Sequence, residues 1–533
     1  MIVVFLLKNL AVLVLLLVTA ACAGTLALGP REGLALRSAL GLALCAHACF
    51  FLGVVGQLRA GPIVALMVVI VCGGVLKGGG RPARLAGGTP APLLFTPLFL
   101  LALFPPIAFD ETLYHLPYVR GFARAGALRA LPDVRFPVFP VLHELLAVPP
   151  YLLAGDVATH LVALAETIVL AALLIEWARR YDVRAGWLAA ALFLGSPLII
   201  HLSTVLHVEM ALALFIAAGF YALDRERYAL AGIFLGSACS VKYLGFYFAL
   251  AALAIAVVRR RAAVFALACA LSALPMTAWI FFSTRNPIFP FLGKSVWLPD
   301  PWPDVGWTGR LIRMLRVTWD VTFARERVGW QPPVTPLLAV LLVLIAAAAV
   351  RDVRARLLAL LAAVYVAIFS FLPQDSRYLV PLLPLLSIAG AVIASRRWPK
   401  IATAMTLIAA VPGFAYAAYR IGLQGFPSTR NTEWLESRLP AYRALRRAGD
   451  ETVYCCGAER LKSLAGGTFL GDSFGPYSYM RLPDNTSAIA ERMRGWKVRY
   501  FLLAKNGCTP PRINGGMQLV YEDADAQLWQ VPM

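Results

Sequence analysis

Apolar runs long enough to cross a bilayer recur through this chain. They lie near residues 3–28, 34–57, 61–77, 93–109, 157–176, 185–202, 207–223, 262–283, 335–350, 357–372, 377–395 and 400–421. About 20 apolar residues in a helix match the thickness of the hydrocarbon layer, so the chain has little choice but to thread a membrane repeatedly. The linkers add an orientation. Basic clusters fall on alternate linkers: Lys77, Arg81 and Arg84; Arg179, Arg180 and Arg184; Arg225 and Arg227; Arg351, Arg354 and Arg356; Arg396, Arg397 and Lys400. Such clusters stay on the cytoplasmic side. The apolar block 228–258 obeys this alternation only if it is split near Lys242. The split puts Arg259-Arg260-Arg261 inside and Lys242 at the external boundary.

The expected architecture is therefore an all-α polytopic membrane protein of about 13–14 transmembrane helices. Composition agrees: 60% of residues are hydrophobic, only 15% are charged, and the mean hydropathy is +0.72. A soluble protein could not cover its surface with so few charges. The formal charge of +20 resides in the orienting clusters, so it points to the lipid bilayer as partner and not to nucleic acid. The first run could pass for a signal peptide, with Thr19-Ala20-Ala21-Cys22 faintly like a lipoprotein cleavage site. Its uncharged start and the spans that follow predict an uncleaved helix.

Two linkers are long and face outward, 110–155 and 284–334. The first, rich in Pro and Arg, is expected to lie on the membrane surface as amphipathic helices. The second carries Trp297, Trp302, Trp307, Trp319 and Trp330, which either stack on sugar rings or form an interfacial belt. Beyond the transmembrane unit, 1–423, composition becomes that of a small extracytoplasmic α/β domain, 424–533. A helix is expected over 432–447, with strands over 452–456, 498–504, 517–521 and 527–531. Most cysteines lie in apolar runs and read as small hydrophobes. Cys455 or Cys456 could pair with Cys508 if this tail is extracytoplasmic.

Chemistry concentrates at the external boundaries. The apolar run ending at Phe109 meets two adjacent carboxylates, Asp110 and Glu111, with His115 one helical turn on. Carboxylates at a bilayer edge are costly to desolvate, which suggests a function; the bland reading is that Asp110 caps a helix starting at Thr112. On the same face fall His143, Glu144, His207, Glu209, Lys242, Arg285, Asp375, Arg377 and Tyr378. Glu209 and Lys242 interrupt apolar runs, which sets them apart from ordinary loop polarity. Each has a plainer reading: Lys242 snorkelling, Arg377 as an interfacial anchor, and His143-Glu144 bonding loop backbone. His115, His207 and Glu209 are candidate ligands for a divalent metal, though without a fixed ligand spacing; no firm cofactor follows. His47 and His201 read as satisfied by helix packing.

Four stretches in order resemble the GT-C membrane glycosyltransferases, in the branch of dolichyl-phosphate-mannose protein mannosyltransferases and bacterial aminoarabinose transferases. They are Asp110-Glu111 after an early span; Gly195-Ser196-Pro197 leading to Glu209, where the family usually carries Asp; Ala231-Gly232-Ile233-Phe234-Leu235-Gly236 with Val241-Lys242-Tyr243; and Arg377-Tyr378-Leu379-Val380-Pro381-Leu382-Leu383-Pro384. The resemblance spans roughly 90–400. It implies transfer of a sugar, with inversion, from a polyprenyl-phosphate carrier to an acceptor hydroxyl on a lipid, glycan or protein. The site would face the periplasm or exterior of the inner or plasma membrane. Asp110 would be the general base, with Glu111 and Glu209 as further catalytic carboxylates, and Lys242, Arg377, Arg285 and Tyr378 would take the donor phosphate. Partial desolvation beside Glu111 is expected to raise the apparent pKa of the acidic pair. Two other classes compete: a transporter or lipid flippase, which needs pseudo-symmetric halves that are not visible, and a non-catalytic component of envelope polysaccharide assembly.

Overall fold

The computed structural model describes residues 1–78, 94–292, 297, 305–427, 431–483, 486–508 and 516–532. Within them, seven helical segments are long and apolar enough to cross a membrane. They are Ile2–Leu28, Leu34–Val54, Ala60–Gly78, Asp156–Arg179, Ala262–Thr284, Ser376–Arg397 and Pro399–Gln424. Shorter apolar helices, among them Ala185–Leu194, Tyr228–Val241, Gly245–Val258 and Leu337–Ala349, complete the bundle. The chain is a multi-pass membrane protein, mostly helical, with a small C-terminal sheet.

The breaks in this bundle matter most for function. At Lys242 the backbone is extended (φ −158°, ψ 142°), ending Tyr228–Val241 before Gly245–Val258 begins. The split required by charge alternation is thus present. A second break falls at Gly195-Ser196-Pro197, between Ala185–Leu194 and Pro197–Leu202. Proline cannot continue the helix hydrogen bonding, and glycine is needed for a different reason. A Cβ at Gly195 would lie 1.8 Å from the Ala409 carbonyl oxygen, and one at Gly413 2.1 Å from that of Leu194. Small residues let these backbones touch.

Several expectations require correction. The run 93–109 is not one spanning helix; residues 91–93 lie outside the described residues, and the helix that follows covers only Thr96–Ala102. From Leu103 to Ala108 the chain leaves the helix through Pro105-Pro106. The segment 110–155 does not lie wholly on a surface. Its second helix, Leu142–Ala154, is buried from Leu142 through Pro150, because an almost continuous apolar sequence has no face to offer water. The linker 284–334 contains an amphipathic helix, Gly306–Phe323, whose Trp307 and Trp319 are exposed. Trp302, Arg81 and Arg84 lie outside the described residues.

The C-terminal domain has a five-stranded sheet in the order β2-β1-β3-β5-β4, with β1 Val453–Cys456, β2 Phe469–Leu470, β3 Tyr500–Ala504, β4 Gln518–Glu522 and β5 Ala526–Gln530. β1 pairs in parallel with β2 and β3, while β3, β5 and β4 are antiparallel. The expected helix 432–447 is two helices, Asn431–Arg438 and Tyr442–Arg447, interrupted at Pro440 and at Ala441 with φ 66°. The helix Thr486–Gly495 and the short strand β2 were not expected.

Strand alternation decides between the two adjacent cysteines. Successive side chains of β1 point to opposite faces, so Cys455 enters one core with Leu502 and Leu528 and Cys456 the other with Phe501 and Leu503. Cys456 bonds Cys508 across a separation of 52 residues; Cys455 stays free and buried. Closing a loop of that length is worth about 4 kcal/mol by chain entropy. Cys456→Ser should therefore leave this domain readily cleaved by protease under conditions where the oxidised wild type resists. Equal resistance would show that the bridge adds nothing.

Candidate active site

The site begins with a turn that orients one arginine. Asp375 precedes the 3₁₀ turn Ser376–Leu382 and accepts from the Arg377 backbone N–H at 3.0 Å. Its carboxylate also receives Arg377 Nε at 2.9 Å and Nη2 at 2.8 Å. Thus held, the guanidinium extends Nη1 to Asp110 Oδ2 at 2.8 Å and to His207 Nδ1 at 3.1 Å. Since the guanidinium can only donate, His207 must present a lone pair at Nδ1 and is neutral.

Beside this group, Lys242 Nζ lies 3.0 Å from Glu209 Oε1 and 4.4 Å from the centre of the Tyr378 ring. Lys242 reaches there because the helix stops at its own residue; Glu209 does so as the first residue of Glu209–Asp224. Two cations and three carboxylates therefore meet where four chain segments end. Glu209 Oε2 and His207 Nε2 are buried without a hydrogen-bond partner, leaving capacity for a polar ligand.

The expected rise in the acidic pair does not occur. Burial favours the neutral form of Asp110, but the Arg377 guanidinium outweighs it and holds the carboxyl well below the usual carboxylate range. His207, being neutral, adds little to that effect. Asp110 makes no cap bond either; the turn after it, Glu111–His115, is π-helical. Glu111 faces another way. Its Oε1 meets His160 Nε2 at 2.6 Å and the Leu206 N–H at 2.7 Å, and its Oε2 accepts from Ala108 N–H at 3.1 Å. Burial again acts upward, and His160 with the Leu206 N–H overrides it, holding Glu111 at about 2.

Two more buried pairs lie nearby, His115 Nδ1 with Glu144 Oε1 at 2.6 Å and His143 Nδ1 with Glu166 Oε1 at 3.0 Å. His143 and Glu144 thus bond side chains, not loop backbone. The His115 and His207 rings are 5.6 Å apart, so His115 borders the site. Of the candidate metal ligands, His115 Nδ1, His207 Nδ1 and Glu209 Oε1 are already engaged by Glu144, Arg377 and Lys242. Among the described residues no group of three His, Cys, Asp or Glu side chains could hold a metal ion. Arg285 ends Ala262–Thr284 in a left-handed conformation, and among the described residues it makes no ion pair with the cluster. His47 bonds Ser237 and Ser272, each at 3.1 Å, a packing role.

Sequence reading missed His160, Glu166, Arg135 and Asp472. The first two sit inside an apolar run, where an intramembrane ionisable residue is itself a signal. The last two are ordinary loop polarity, and no spacing distinguishes them.

The helical bundle with its C-terminal sheet is a fold shared with solved proteins. Two solved structures carry the comparison, both of ArnT from Cupriavidus metallidurans: one in the apo state, TM-score 0.55, and one bound to undecaprenyl phosphate, TM-score 0.56. Each is 14% identical in sequence, with the match covering 82% of this chain and 96% of that one. No protein-family model and no curated protein sequence matches.

Proposed function

We propose that this protein is an integral membrane glycosyltransferase that moves a sugar from a polyprenyl-phosphate carrier to an acceptor hydroxyl. The observation that carries the reading is Arg377 bridging Asp110 and Asp375 beside the Lys242–Glu209 pair, in a fold shared with an enzyme solved bound to undecaprenyl phosphate. Arg377 and Lys242 take the donor phosphate, with Tyr378 lining the same place. The acceptor oxygen attacks the anomeric carbon, inverting it; the bond to phosphate breaks and the phosphate leaves with the electron pair. Asp110 receives the hydroxyl proton. Glu209 keeps Lys242 aimed, and Glu111 supports the turn carrying Asp110.

Asp110 is a poor base while Arg377 holds it. A phosphate that draws Arg377 to itself frees the carboxylate and raises its proton affinity, so the base becomes competent once the donor is bound. In this reading residues 1–423 are the transfer unit and 424–533 an accessory domain. Basic clusters at the opposite ends of the spans, and the Cys456–Cys508 bridge, support a site facing the periplasm or exterior of the inner or plasma membrane. The acceptor is a lipid, glycan or protein hydroxyl.

The test is mass spectrometry of envelope lipids, glycans and glycoproteins from cells lacking this chain. A polyprenyl-phosphate-linked sugar should accumulate while one glycoconjugate disappears. Loss of the conjugate with the carrier lipid stranded on the cytoplasmic leaflet would favour a flippase instead.

A further inference from the structure

The six residues before Asp110, Phe104 to Phe109, leave the helix at Pro105-Pro106 and run along the C-terminal domain. Three of the residues in 104–109 contact groups associated with the C-terminal domain. Phe104 packs on Trp434, ring centres 5.6 Å apart. Ile107 joins the domain core formed around Leu435, Leu445 and Leu502. Phe109, adjacent to Asp110, lies under the Arg135 guanidinium at 5.4 Å.

Arg135 is in turn held by the domain. Its Nε donates to Asp472 Oδ2 at 3.0 Å, Nη2 donates to Asp472 Oδ1, and Nη2 lies 3.4 Å from Ser473 Oγ. The Phe474 ring lies 4.5 Å from the same guanidinium. Asp472 is buried and itself fixed, accepting from the Ser473 N–H at 2.6 Å. A bidentate, aromatic-flanked arginine pair away from water gives orientation as well as energy. Phe136, next to Arg135, continues the contact with rings of Phe474 and Tyr114, both at 5.7 Å. A second arginine, Arg120, bonds Asp156 at 2.6 Å and reaches the Ser463 carbonyl of the domain.

We infer that the C-terminal domain is a positioning element of the active site: Asp472 and Phe474, acting through Arg135 and Phe109, set the place of the Asp110 carboxylate. The inference rests on the reading of Asp110 as base. It makes the domain part of the catalytic unit and not an independent accessory. A displacement of the base by about 1 Å costs on the order of 100-fold in rate, so a clamp one residue away is well placed to matter. Arg377 and Lys242, which hold the phosphate, have their own anchors in Asp375 and Glu209, so phosphate affinity depends on the clamp far less than the place of Asp110 does.

The test uses full-length protein with Asp472→Asn, Asp472→Glu and Phe474→Leu. Three quantities are read: backbone amide exchange over residues 107–112, affinity for undecaprenyl phosphate as the probe, and the amount of the missing glycoconjugate restored to the deletion strain. Asp472→Asn should speed exchange and cut product at least about 10-fold while probe affinity stays within about twofold, and Asp472→Glu should recover most of the product. Phe474→Leu, which leaves the ion pair intact, should give a smaller loss of the same kind. Product unchanged in Asp472→Asn and Phe474→Leu overturns the inference, as does a product loss matched by loss of probe affinity. Normal product in Asp110→Asn would instead remove the base assignment, and exchange over 107–112 would still judge the clamp.

Discussion

Asp110→Asn should reduce transfer by about 10³-fold, within the range that a positioned general base contributes. The substitution keeps volume and one hydrogen-bond acceptor, so Arg377 can still be contacted. Arg377 also keeps its two contacts to Asp375, at 2.8 and 2.9 Å, so it is not left as an uncompensated buried charge. Expression and membrane insertion should therefore match wild type, and undecaprenyl phosphate should bind at least as well, since a carboxylate that competes for Arg377 has been neutralised. The measurement is product in the complemented deletion strain, with probe binding on purified protein. Near-normal product would transfer the role of base to another carboxylate, with Glu209 first in line.

Lys242→Gln should weaken undecaprenyl phosphate binding by about 10- to 100-fold, the worth of one charge-assisted hydrogen bond. The single variant has a second effect, because it leaves Glu209 buried, ionised and facing the incoming phosphate. The double variant Lys242→Gln/Glu209→Gln separates the two. If Lys242 binds phosphate, the double variant remains at least about 10-fold weaker than wild type, though stronger than the single. If it returns to wild-type affinity, Lys242 only neutralises Glu209, and the phosphate belongs to Arg377 alone. The pair 3.0 Å apart in the structure is compatible with both roles, and the two-residue cycle tells them apart.

The two substitutions also probe different halves of the same geometry. Asp110 sits on a segment clamped by the C-terminal domain, whereas Lys242 sits at a helix break inside the bundle. A loss of product without loss of probe affinity at Asp110, and a loss of both at Lys242, is the pattern expected of a base and a phosphate ligand.

Much of this protein was legible residue by residue. Hydrocarbon length and the alternation of basic linkers are local properties, and they placed most of the spans and the break at Lys242. The same bookkeeping grouped Asp110, His207, Glu209, Lys242, Arg377 and Tyr378 on one face before any of them could be seen to touch. What local properties could not do was assign partners. Glu111 and Asp110 are neighbours in sequence, yet one bonds His160 and backbone N–H groups and the other an arginine from a distant turn. Only tertiary structure could reverse the expected pKa shift, because the decisive charge, Arg377, arrives through space. The apolar stretch before Asp110 misled for the same reason. Hydropathy reports that residues 103–109 must be buried but not in what, and here two prolines and a folded domain supply an alternative to lipid. Sequence determined that the chain threads a membrane, since transfer from water is a sum over single residues. Structure decided which charges meet, since pairing depends on separations of a few ångströms that no single segment controls.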